Sequence, residues 1–509
     1  MAMQVEDNRF ISVVCPATSE PVGKVSIMEE DEINSLVYKA KSAFETWRKY
    51  DFDRRRGLIQ RVIDIFIDER ERVIDTVCME TGKTKTEALY EILGAIDIMA
   101  FYNKRARKML EEKIKTPHGF MMTKKAYVKY IPFGVVGIIS PWNYPFLLLL
   151  CDAAPAIIAG NCVILKPSEF TPLTALLIQD VFQKANFPGG VYQTVTGLGR
   201  AGSILVDKVD MVAFTGSVRT GKKIAEACAR QLKPVSLELG GKDPAIVLEG
   251  ANLKRASKGI VWGSLFNAGQ TCISIERVYV VEAIYDRFLK SVVEEVKKIK
   301  VGLDNDYNVD MGSLTTSSQL EIVENQVKDA IKKGARILVG GSRFKTTKGY
   351  FFEPTVLINV GPGMSIMEEE TFGPVIAIQK VQDENEALRE ANRLNFGLSA
   401  SIWGITKQAL RLSKDMQAGS ICINEALSSF LIPEIPFGGI KESGNGIRHS
   451  KHGIRRFCKV QSIVLPRFVL KREIVWYPYS KKIASLIKLF MAMFYKSHFK
   501  WEFFKGRKF

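Results

Sequence analysis

Residues 266–272 read Phe-Asn-Ala-Gly-Gln-Thr-Cys, so Cys272 follows a glycine among small and polar side chains. A thiol in such a turn is accessible, and local dipoles favour its thiolate. An isolated cysteine is more often a small buried hydrophobe, so the case for Cys272 rests on its company. Glu238 stands in Leu237-Glu238-Leu239-Gly240-Gly241-Lys242, an acid inside an apolar strand. Burial there raises a carboxyl toward the range of a general base, unless a buried lysine pairs with it instead. Asn143 lies in Ser140-Pro141-Trp142-Asn143-Tyr144-Pro145, where two prolines fix the loop. Its amide can donate to a developing oxyanion beside a backbone N–H near the thiol; the alternative role is an Asx turn.

Two further segments suit a nucleotide. Phe214-Thr215-Gly216-Ser217-Val218-Arg219-Thr220-Gly221 reads as a strand, a glycine turn and a helix start, which suits a phosphate at a helix N-terminus although it is not GxGxxG. Lys166-Pro167-Ser168-Glu169 ends a strand with a cation and a carboxylate, where ribose hydroxyls sit in a dinucleotide site.

These groups must be held by ordered elements. Ala40, Phe44, Trp47, Leu58, Val62 and Ile65 recur at helical spacing and predict a helical layer over residues 30–107. Short apolar runs at 135–139, 162–165, 191–195, 211–214, 236–239 and 245–247 then alternate with helix-like stretches. A second alternation covers residues 260–423, with strands at 277–281, 336–339 and 375–380. Such alternation predicts an α/β protein of two Rossmann-like parallel-sheet domains in tandem, with ligands where strands end and helices begin. Residues 125–130 and 458–465 read as exposed strands without a nearby partner, and pairing with another element or a second subunit would protect their edges.

The chain has 509 residues, enough for two or three domains, and its 46% hydrophobic content suits a globular core. Its eight cysteines stand singly without a CxxC pair, so neither a disulfide framework nor a metal site is expected. The start Met1-Ala2-Met3-Gln4-Val5-Glu6-Asp7 lacks the features of a secretory signal, and a cytoplasmic location is expected. The net charge is +17, and residues 467–509 carry eleven Lys or Arg against Glu473 and Glu502. The remainder sits on mixed-sign helices, so no nucleic-acid partner is expected. Within the tail, Ile483, Leu486, Ile487, Phe490, Met493 and Phe494 form one helical stripe beside Lys481, Lys482, Lys488 and Lys496. The run is too short to cross a bilayer and predicts an interfacial helix, with Trp476, Tyr479 and Trp501 at headgroup level; packing on the enzyme's own surface is the alternative.

In order and spacing, PWNYP, KPSE, FTGS, LELGGK, FNAGQTC, EETFGPV and PFGGIKESG resemble the aldehyde dehydrogenase superfamily over residues 1–466. The resemblance implies a cofactor domain over 1–113 and 133–240, a catalytic domain over 241–445, and bridging or oligomerisation strands at 114–132 and 446–466. It implies Cys272 as nucleophile, Asn143 as oxyanion donor and Glu238 as the base that hydrolyses the thioester. Lys166 and Glu169 match its adenosine-ribose ligands, Gly216, Ser217 and Gly221 its pyrophosphate turn, and Glu370, Phe372 and Trp142 its nicotinamide surroundings. The cofactor implied is NAD, with NADP possible; Glu169 would repel a 2′-phosphate. Members that transfer the acyl group to coenzyme A usually lack the LELGG acid, so a free carboxylic acid is expected. An apolar aldehyde, medium- or long-chain or aromatic, is expected as substrate, with a homodimer or homotetramer and peripheral membrane contact through the tail. The alternatives are a semialdehyde-specific or CoA-acylating enzyme, or a catalytically silent membrane-associated relative.

Overall fold

The computed structural model describes residues 4–6, 9–111, 113–115, 117–344 and 348–496. They fall into two compact units, Met1–Met109 with Pro132–Cys458, and Leu110–Ile131 with Lys459–Phe509.

The first unit opens with an antiparallel sheet of Gln4–Glu6, Phe10–Val14 and Pro21–Ser26, which the sequence reading does not anticipate. The expected helical layer follows as Glu30–Trp47, Phe52–Asp68, Arg70–Thr81 and Lys85–Leu110. The second of these starts where Asp51 accepts the backbone N–H of Arg54 at 2.8 Å, and it buries Leu58, Ile59, Val62, Ile63 and Phe66 along one face.

Five parallel strands come next, in the spatial order Val235–Leu239, Met211–Gly216, Val135–Ile139, Cys162–Lys166, Tyr192–Thr194. The first strand in the chain lies in the middle. Later strands build outward on one side and then on the other, which creates a switch point between Val135–Ile139 and Met211–Gly216. The Asn143 loop leaves one strand there and Gly216 ends the other. Every residue of the helix Leu147–Ala159 is buried, as its run of leucines, isoleucines and alanines requires, with Asp152 as the one charge among them.

A seven-stranded sheet follows in the order Arg336–Val339, Thr355–Ile358, Val375–Val381, Ile275–Val281, Asp243–Val247, Ser399–Trp403, Ser420–Ile423. It is parallel except for its antiparallel first pair. Gly240 and Gly241 join the strand of Glu238 directly to Asp243–Val247. The carboxyl ends of the first sheet therefore meet the amino ends of the second sheet's central strands. Cys272 precedes Ile275–Val281 and Glu370 precedes Val375–Val381, so both belong to that junction.

In the second unit Lys124–Pro132 lies between Lys113–Lys115 and Cys458–Pro466. The expectation that the two exposed strands pair with another, distant element holds: they pair with each other, across more than 300 residues of chain. The tail forms a helix, Lys481–Tyr495, capped by Ser480, whose Oγ accepts from Ile483 N at 3.2 Å. Phe490 meets Phe120 edge-on at 5.9 Å, and Lys124 pairs with Glu473 at 2.5 Å. Trp501 lies outside the described residues. Among the described residues, no helix is long and apolar enough to cross a membrane.

Candidate active site

Cys272 closes a tight turn after the helix Leu253–Leu265, with Asn267 and Ala268 in the left-handed region (φ 57° and 53°). Gly269 also has positive φ, and a Cβ there would overlap the carbonyl of Gly373. Only glycine lets this turn approach the loop that carries Glu370 and Phe372.

Asn143 is 2% exposed, and its Oδ1 accepts no hydrogen bond, so it forms no Asx turn. Its Nδ2 donates to the carbonyl of Gln270 at 2.9 Å, using one of two amide N–H groups. The two loops are joined further by Asn267 Nδ2, which donates to the Asn143 carbonyl at 3.1 Å, and by a hydroxyl hydrogen bond of 2.7 Å between Tyr144 and Thr271.

Beneath them lies a fully buried pair from the helical layer. Lys83 Nζ donates to Glu91 at 2.5 Å and to the Asn143 carbonyl at 2.8 Å. Glu91 accepts from the N–H groups of Phe146 and Leu147, and Glu87 accepts from Asn267 N at 2.7 Å. Sequence reasoning missed all three charged residues, because the loops they support, at 143–147 and 267, lie 55 to 180 residues away.

Glu238 is 3% exposed and neither carboxyl oxygen has a hydrogen-bond partner. The lysine alternative is answered by Lys242, which donates to Glu276 at 2.5 Å and to Thr371 Oγ1 at 2.7 Å. Glu276 in turn accepts the N–H groups of Thr371 and Phe372 and so fixes the Glu370 loop. Burial raises the Glu238 pKa to about 7, against the opposing pull of Arg448 and Arg456. Burial likewise pushes the Cys272 thiol up to about 12, so desolvation outweighs the loop dipoles on which the sequence reading relied. Glu370, partly exposed, accepts from Gly241 N at 3.2 Å; desolvation and then the neighbouring Glu276 carry it to about 8.

The expected nucleotide-binding residues gather at the same strand ends. Ser217 caps the helix Val218–Arg230, its Oγ accepting from Thr220 N. A Cβ on Gly221 would overlap the Leu239 side chain, so the glycine allows close packing of helix on strand. Lys166 Nζ lies 3.3 Å from Glu169. Trp142 and Phe372 stand edge to face with centroids 5.4 Å apart. An anion-favouring helix N-terminus, a cation with a carboxylate for ribose, and an aromatic pair form a donor set that fits a dinucleotide. Among the described residues no group of three His, Cys, Asp or Glu is placed to hold a metal ion.

A cavity of about 550 Å³ leads to Cys272 and Thr271. Tyr90, Leu93, Tyr144, Trp262, Phe266 and Leu431 dominate its wall, with Phe266 packed between Trp262 and Tyr144. Its charged lining residues are Glu91 and Asp97; no Lys or Arg lines it. The wall escaped the sequence reading because Tyr90, Leu93 and Asp97 occupy a second face of a helix whose first face builds the core.

The model of the aldehyde dehydrogenase family matches residues 3–463. The chain is 37% identical over 490 residues to a 4,4'-diapolycopene aldehyde oxidase of Methylomonas sp, covering 95% of this chain and 91% of that protein. It is 37% identical over 455 residues to a putative NADP(+) succinate-semialdehyde dehydrogenase of Mycobacterium bovis, covering 89% and 87%. Among solved structures it is similar to an NAD-dependent aldehyde dehydrogenase from Sinorhizobium meliloti, with a TM-score of 0.88, 34% identity and coverage of 94% and 95%.

Proposed function

The chain belongs to the aldehyde dehydrogenase family and catalyses NAD(P)-dependent oxidation of an aldehyde, and we propose that its substrate is an apolar aldehyde released as the free carboxylic acid. In this reading Cys272 sulfur adds to the aldehyde carbonyl as the thiol proton leaves to solvent water, so Glu238 stays ionised for the later step. The oxyanion of the thiohemiacetal takes the free N–H of Asn143 Nδ2 and the backbone N–H of Cys272. The dinucleotide, when bound, supplies the hydride acceptor, held by Lys166, Glu169, Gly216, Ser217 and Gly221 with Trp142, Glu370 and Phe372 at its reactive end. Glu238 then takes a proton from the water that attacks the Cys272 thioester, and the thiol is regenerated. The Glu169 carboxylate favours NAD over a cofactor with a 2′-phosphate.

The observation that carries the substrate proposal is an aromatic and apolar cavity that reaches Cys272 without a lysine or arginine in its wall. Asp97 repels a second carboxylate and no cation in the wall attracts one, which disfavours a substrate such as succinate semialdehyde, while the wall suits a hydrocarbon chain like the one named for the Methylomonas relative. Each buried CH₂ is worth about 0.8 kcal/mol, or roughly fourfold in kcat/KM. A panel of unbranched aldehydes should show that gain until the cavity is full. Preference for succinate semialdehyde over decanal would refute the proposal, and acyl-CoA as product would refute hydrolysis.

Two features concern assembly and location. Cys458–Pro466 is an edge strand of nine residues, and pairing it with another subunit would complete a homodimer or homotetramer. The tail helix has no buried residue, and a basic chain with an apolar stripe suits anionic lipid on the cytoplasmic side.

A further inference from the structure

Asp152, Arg448 and Arg456 form an ion cluster beside the catalytic groups, and no step above uses it. Arg448 is 2% exposed. Its Nε and Nη2 donate to the two oxygens of Asp152 at 3.0 and 2.7 Å, and Nη2 also donates to Thr215 Oγ1. Arg456 Nη2 donates to the same Asp152 Oδ1 as Arg448 Nε, and Nη1 donates to Ser236 Oγ at 2.8 Å. Thr215 is the residue registered opposite Glu238 on the neighbouring parallel strand, and Ser236 precedes Glu238 by two on the same strand face. The two guanidinium groups therefore bracket Glu238 within the sheet, joined by one carboxylate, with a surplus of one positive charge.

We propose that Arg448 is a positioning residue whose buried guanidinium, fixed by Asp152 and Thr215, supplies the positive field that stabilises both the Glu238 carboxylate and the Cys272 thiolate. It rests on the roles proposed above for those two residues. Glu238 accepts no hydrogen bond, so its charged form depends on charges near it rather than on direct donors. The groups bearing on it are Arg448 and Arg456, which favour ionisation, and Asp152, which opposes it. Around Cys272, Arg448 is the favourable charge, while Asp243, Glu370 and Glu238 oppose the thiolate. His449, next in the chain, is held neutral with its pKa pushed down to about 3 and adds no charge. A single cation thus serves both halves of the reaction, and removing Asp152 should strengthen its field where removing Arg448 abolishes it.

The test is made on the full chain with three variants, Arg448→Met, Arg448→Lys and Asp152→Asn, and two readouts. One is the pH dependence of single-turnover thioester hydrolysis. The other is the iodoacetamide alkylation rate of Cys272 at fixed pH, with Cys272→Ala as the blank. Arg448→Met should raise the acid limb by about one pH unit and slow alkylation about tenfold. Arg448→Lys, which keeps the charge, should stay within about threefold of the parent, and Asp152→Asn should move both readouts the opposite way. Limbs and alkylation rates unchanged in Arg448→Met would overturn the proposal, as would Asp152→Asn and Arg448→Met shifting in the same direction, the signature of structural damage alone. If Arg448→Met does not fold, the direction of the Asp152→Asn shift decides. A parent that is active but not alkylated at Cys272 would instead refute the underlying nucleophile assignment.

Discussion

Lys83→Met removes the cation on which the Asn143 loop is built. Its ammonium is fully buried, 2.5 Å from Glu91, 2.8 Å from the Asn143 carbonyl and 4.2 Å from the centre of the Tyr144 ring. Breaking a buried pair by deleting one partner costs about 3–5 kcal/mol, because the remaining charge is left uncompensated. Glu91 keeps the backbone N–H groups of Phe146 and Leu147, which places the expected loss at the lower end, about 3 kcal/mol. The catalytic loss has a separate origin. Asn143 retains one donor to its carbonyl, Asn267 Nδ2 at 3.1 Å, so its loop loosens without being lost. Removing an oxyanion donor outright costs about 10²–10³ in kcat, and a loosened one should cost about tenfold, with KM nearly unchanged because the contact forms only in the transition state. Urea unfolding followed by tryptophan fluorescence reads the first effect, and steady-state kinetics on decanal reads the second. A variant within about 1 kcal/mol of the parent and within twofold in kcat would show that the buried pair neither supports the fold nor holds the oxyanion donor.

The pH profile should follow Glu238: with its pKa raised to about 7 and the ionised form active, deacylation climbs about tenfold per unit below pH 7 and levels above it, and a flat profile from pH 5.5 to 8 would exclude this base. Light scattering at micromolar concentration should give a multiple of 57.1 kDa, and a monomer would remove the edge-strand argument. In co-sedimentation with phosphatidylserine vesicles, the full chain should pellet more than a chain ending at Pro466 and do so less as salt rises; equal, negligible pelleting of both would leave the tail without a lipid role.

Much of the fold was legible because its signals are local. The strands of the first sheet announce themselves as short apolar runs between turns, and the structure places Val135–Ile139 and Cys162–Lys166 where those runs stand. Glu238 was legible for the opposite reason, as a charge where the pattern demands a hydrophobe. What escaped depends on distance along the chain. Thr355–Ile358, Ser399–Trp403 and Ser420–Ile423 fall within the expected second alternation without being singled out as strands, because such runs take their pairing from neighbours distant in the chain. The pairing of Lys124–Pro132 with Cys458–Pro466 has no local mark, and neither does the contact of Arg448 with Asp152 across 296 residues. The cavity wall was hidden for another reason: Tyr90, Leu93 and Trp262 are apolar residues facing a space, and a sequence does not distinguish them from residues facing a core.

The central claim is that the aldehyde is carried on Cys272 and released by Glu238. The most direct test mixes Glu238→Gln with NAD and decanal, quenches the mixture in acid within seconds, and maps the peptides by mass spectrometry. The amide cannot take a proton from water, so a decanoyl thioester should accumulate on the peptide containing Cys272 to near one per chain, with an equal burst of NADH and little turnover after it. A burst with the acyl group on another cysteine, or full turnover with no adduct, would contradict the account.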